Sequence, residues 1–177
     1  MSGEDPDAKD SVNRLVSASG SSTQCRGEII QNLVFAMRLN SDLRYPARFN
    51  LWFHGADVLS ALKAVEALDF LIDHLNESDG HFSSGMIHQP AVAAVTRMGS
   101  AAVPKLAEAL KHHSDRDVRL TVALCLIEIG GDDATNALKK AAKTDSDECV
   151  RRFIELSLMK ANPEILQRRL AAYRCGN

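Results

Sequence analysis

Apolar positions recur at helical spacing along most of this chain. In ADVLSALKAVEALDFLIDHL, residues Val58, Leu62, Val65, Leu68, Ile72 and Leu75 follow one another at intervals of three or four, without glycine or proline. That is the period of an amphipathic helix. The pattern fits either one long helix or two helices that meet near Ala64. Upstream, EIIQNLVFAM puts Ile29, Ile30, Leu33, Val34 and Met37 on one helical face, and Asn40, Ser41 and Pro46 interrupt it. Residues 1–23 are rich in Ser, Asp and Gly and show little periodicity, so they read as a flexible tail.

Beyond residue 76 the pattern repeats itself. Aligning KHHSDRDVRLTVALCLIEIG (from Lys111) with KTDSDECVRRFIELSLMK (from Lys143) superposes Ser114-Asp115 on Ser146-Asp147 and Val118-Arg119 on Val150-Arg151, each at a shift of 32 residues. The unit is a helix, a short turn, a second helix and a glycine stop. An earlier, degenerate copy begins at Ser78-Asp79, places Ile87-His88 in the Val-Arg slot and stops at Gly99. From Asp to Gly it runs 20 residues against 15 in the next copy, so about five extra residues lie within GHFSSGM. Hairpins of this size cannot bury their apolar faces alone and stack on their neighbours.

Composition sharpens the class. Hydrophobic content is 45% with few aromatics, and Ala and Leu dominate from Val58 onward, which favours helix over sheet. Charge is balanced, 21 basic against 23 acidic residues with no long block of one sign, which argues against a dedicated nucleic-acid binder. Cys25, Cys125, Cys149 and Cys175 lie far apart with no CxxC pair, so reduced thiols and a cytoplasmic location are expected. The first ten residues are acidic and offer no secretory h-region, and no run approaches the roughly 18 apolar residues of a membrane span.

The stretch AVAAVTRMGSAAVPKLAEALKHHSDRDVRLTVALCLIEIGG resembles the HEAT repeat, in the short form found in phycobilisome-lyase-like domains. The glycine stop followed by AAVPKL, the SDxxVR turn and the Ala/Leu run ending in IG carry the resemblance. It implies an all-α, right-handed α-solenoid of helical hairpins. The expected organisation is an irregular helical N-terminal cap (24–63), a degenerate repeat with the inserted loop (64–99), repeats at 100–131 and 132–161, and a terminal helix (162–177). The resemblance also implies an Asp–Arg ladder between repeats, using Asp115 or Asp117 with Arg119, and Asp147 with Arg151. Ser114, Asp115, Ser146 and Asp147 are candidate helix caps, and Ser114 with Asp117 has capping-box spacing.

Function follows less directly. His112 and His113 beside Asp115 and Asp117 have the composition of a metal site. However, adjacent helical histidines point about 100° apart, and the sibling turn replaces them with Thr144 and Asp145, so a structural turn is the better reading. No metal or other cofactor is expected. The sequence holds no His-Glu dipeptide, HExxH, GxSxG or phosphate-binding loop, and no catalytic residue is assigned. Trp52 and Phe53 read as a hydrophobic cap or a partner anchor. The inserted loop contributes His81, Phe82, Met86 and His88, as a binding element or an exposed extension. The expectation is a non-enzymatic scaffold presenting a concave, inner-helix surface to another protein. The alternatives are a bilin lyase-like or chaperone-like protein acting on a tetrapyrrole carrier, and a nucleic-acid-binding HEAT-like protein.

Overall fold

A computed structural model describes residues 6–20, 22–39, 47–77 and 89–159. Every regular element among them is helical. The helices are α1 (Pro6–Ser19), α2 (Thr23–Leu39), α3 (Ala47–Ala61), α4 (Leu68–Asp73), α5 (Pro90–Met98), α6 (Val103–His112), α7 (Arg116–Ile129), α8 (Gly131–Thr144) and α9 (Glu148–Leu158). Short 3-10 turns, Val65–Ala67 and Gly99–Ala102, lead into α4 and α6.

The helices sort into two layers. In one, α4 packs on α6 and α6 on α8; in the other, α3 packs on α5, α5 on α7 and α7 on α9. One hydrophobic cluster runs without a break from Ile30 in α2 to Ile154 in α9. Each hairpin therefore completes its burial only against its neighbour, as stacked repeats must.

The boundaries have local causes. Asp115 adopts extended backbone, and its carboxylate accepts hydrogen bonds from the amides of Asp117 and Val118, which starts α7. Asp147 does the same for Cys149 and Val150 at α9. The cap of α7 is thus Asp115, one residue beyond the Ser114 of the expected capping box. Gly99 and Gly130 end α5 and α7 with φ of 65° and 68°, a region that side chains disfavour. Between Ala56 and Leu75 there are two helices. α3 stops at Ala61, and Lys63 takes a φ of 46° before the next turn begins.

The flexible tail expected at residues 1–23 is corrected over its described part, where Pro6–Ser19 forms α1 and packs on α2 and α3. Val12 and Val16, one turn apart, are half-buried, and the Arg14–Asp10 pair is exposed. Ser19 is buried and donates to the Val16 carbonyl oxygen. The terminal helix expected at 162–177 lies outside the described residues.

Candidate functional site

The turns between the paired helices carry most of the organised polar chemistry. Arg119 is 7% exposed in the first turn of α7. Its Nε and Nη2 donate to the two carboxylate oxygens of Asp145 at 3.0 and 3.1 Å, and its Nη1 donates to the carbonyl oxygens of His113 and Ser114 at 2.8 and 3.2 Å. All three guanidinium nitrogens are engaged, and the Asp145 side chain is only 3% exposed. The ladder partner of Arg119 is therefore Asp145 of the following repeat, a correction to the expected Asp115 or Asp117. The Asp115 carboxylate already holds helix amides, and Asp117 sits beside Arg116.

Arg151 repeats part of this geometry 32 residues later. Its Nη1 donates to the Asp145 carbonyl oxygen at 2.6 Å, as Arg119 does to that of His113. Among the described residues it bonds the turn backbone, and Asp147 serves as the helix cap rather than its ladder partner.

His113 occupies the register of Asp145. The Asp145 carboxylate accepts the Asp147 amide at 2.8 Å, and His113 Nδ1 accepts the Asp115 amide at 3.1 Å. Accepting there leaves the neutral ring's proton on Nε2, which faces the Asp73 carboxylate at 3.5 Å. His113 thus does in one turn what aspartate does in the next, and it links α6 back to α4. The histidine that looked variable at the sequence level has a structural job. Among the described residues no three His, Cys, Asp or Glu side chains converge as a metal site.

Other junctions are bridged in the same manner. Arg26 pairs with Glu66 and donates to the Leu62 carbonyl oxygen at 3.0 Å. Arg97 of α5 pairs with Asp57 of α3, and Lys105 of α6 reaches Asp69 of α4 at 3.1 Å. Exposed pairs like these contribute about 0–1 kcal/mol each, whereas Arg119–Asp145 is shielded from water. Desolvation makes such a pair costly to break on one side only.

Trp52 and Phe53 do not form an exposed anchor. Trp52 is 5% exposed in the core, its ring stacked on Phe70 at 5.3 Å and against His74 at 4.9 Å. Its indole nitrogen is buried without a hydrogen-bond partner among the described residues. Phe53 is half-buried, edge-on to the His54 ring. His81, Phe82, Met86 and His88 lie outside the described residues.

In the layer of α5, α7 and α9, the middle of α7 is covered. Every residue of α7 from Val118 to Leu126 is buried, because α7 is packed against α4, α5, α6, α8 and α9. A helix covered all round offers no binding face over that stretch. In the other layer a groove of about 800 Å³ lies between the C-terminal halves of α6 and α8. Lys111, His112, Lys140 and Ser146 line it together with the Arg119–Asp145 pair. Sequence reasoning missed Asp145 and Lys140. The signal for Asp145 was its register with His113.

Residues 83–159 match a family model described as HEAT repeats. A search of curated proteins finds no match to the chain.

Proposed function

We propose, from the match of residues 83–159 to a family model of HEAT repeats, that the protein is a non-enzymatic scaffold that binds another protein. HEAT repeats commonly serve protein–protein interaction, and the groove between α6 and α8 is the observation that carries the reading here. Its volume of about 800 Å³ is room for a short segment of a partner chain. Its floor is the Arg119–Asp145 pair, which both partners hold in a fixed geometry. Fixed walls suit recognition, because little side-chain freedom is lost when a partner docks.

On this reading the right-handed stack and the N-terminal helices acting as a cap serve to keep α6 and α8 in register. The interaction surface is the α6–α8 groove rather than the concave inner layer, since α7 has no free side chain between Val118 and Leu126. No helix among the described residues is long and apolar enough to cross a membrane.

The test is capture from native extract with the wild type and with a Lys111→Glu, Lys140→Glu double variant, both exposed positions. The wild type should retain a stoichiometric protein partner that the double variant loses. Retention of the same proteins by both, or of none in stoichiometric amount, contradicts the proposal.

A further inference from the structure

The groove between α6 and α8 has an electrostatic character that follows from which of its charges are already satisfied. Its two carboxylates are Glu108 and Asp145. Asp145 is held by Arg119 through both oxygens and also accepts the Asp147 amide, and Glu108 faces Lys105 at 3.9 Å. Two of its cations, Lys111 and Lys140, have no ion pair among the described residues. Both are exposed, one on each wall.

Helix C-termini attract cations through their unpaired carbonyl groups, so the lysines could simply serve the ends of α6 and α8. The protein's own donors already meet that need in part. The His113 amide bonds the Ala109 carbonyl oxygen, and the Asp145 amide bonds that of Ala141, each at 2.9 Å. Arg119 takes the His113 and Ser114 carbonyl oxygens, and Arg151 takes that of Asp145. With Asp145 neutralised by Arg119 and these carbonyls occupied, Lys111 and Lys140 outnumber the one remaining groove carboxylate, Glu108. The exposed Ser146 hydroxyl on the rim adds a neutral donor.

We infer that this groove binds an acidic peptide segment of a partner protein, its carboxylates received by Lys111 and Lys140. The inference rests on the scaffold reading and names the chemistry of the partner. A peptide is favoured over nucleic acid because the chain as a whole is net negative, at −2, and carries no long basic block to follow a phosphate backbone.

The experiment is fluorescence anisotropy of the full chain with a fluorescein-labelled peptide of alternating glutamate and glycine. A glutamine counterpart peptide and a labelled single-stranded oligonucleotide serve as comparators. The glutamate peptide should bind and the glutamine peptide should not, and binding should weaken as ionic strength rises from ~0.05 to ~0.3 M. Lys111→Gln and Lys140→Gln should each weaken it about two- to fivefold, as expected for one exposed ion pair. Lys139→Gln, an exposed change outside the groove lining, should leave it unaltered. Thermal melting of each variant shows that the fold is retained. Equal binding of the two peptides, tighter binding of the oligonucleotide, or no effect of the lysine changes overturns the inference. If extract capture depends on Lys111 and Lys140 while the glutamate peptide fails to bind, the scaffold reading stands and the acidic partner is wrong.

Discussion

Arg119 and Asp145 show how much one residue pair can carry. Asp145→Ala would leave the guanidinium buried without its counter-charge, and a loss of about 3–5 kcal/mol is expected, measured by chemical denaturation. Arg119→Met with Asp145→Ala should cost less than the two single changes added together, because the second removes the charge that the first strands. Trp52 makes a different point. Truncating it to alanine empties core volume beside Phe70 and His74, so about 3–5 kcal/mol of stability should be lost. Such a variant reports on folding and not on partner contact. Cys125 is fully buried, and burial pushes its thiol up to about 12 against a bond from Thr96 that lowers it. Thiolate is the reactive form. Alkylation followed by mass spectrometry should therefore label half-exposed Cys25 and Cys149 in the native protein, and Cys125 only after unfolding.

The element scale shows where sequence was sufficient. The glycine stops, the paired Asp caps and the 32-residue shift all express local backbone chemistry, and they were legible because each acts within one turn of its own residue. Removing a cap, as in Asp115→Ala or Asp147→Ala, should cost about 1 kcal/mol in a melting or denaturant experiment. What sequence left open was decided at a distance. No glycine or proline marks the break near Ala64, which is stabilised by Arg26 reaching across from α2 to the Leu62 carbonyl oxygen. Helix α1 was hidden because its segment is mostly polar, and its packing on α2 and α3 is not local in sequence. The ladder partner of Arg119 lay in the next repeat, a contact that spacing within one turn does not reveal. The candidate groove was illegible for the same reason, since its two walls, at residues 107–114 and 137–146, belong to different hairpins.

At the scale of the molecule, bridges between hairpins turn a row of small units into one continuous core. Acid should loosen them. Burial alone would raise the Glu66 carboxyl, but the Arg26 guanidinium beside it outweighs that effect and holds it below the usual value of 4.5. A group with a lowered folded-state value contributes stability above its unfolded value and loses it as pH falls through the folded one. The stability difference between wild type and Glu66→Gln should therefore be present at neutral pH and vanish on acidification through the carboxylate range.

That continuity also decides where a partner can dock. With α7 buried from Val118 to Leu126, the layer of α6 and α8 holds an organised opening. Site-directed photo-crosslinking tests this most directly, with the photoreactive residue placed at Lys140 in the groove or at Glu128, exposed in the last turn of α7 away from the groove lining. A discrete protein adduct from position 140 and none from position 128 is the predicted result. Adducts from position 128 alone, or equal adducts from both, would contradict it.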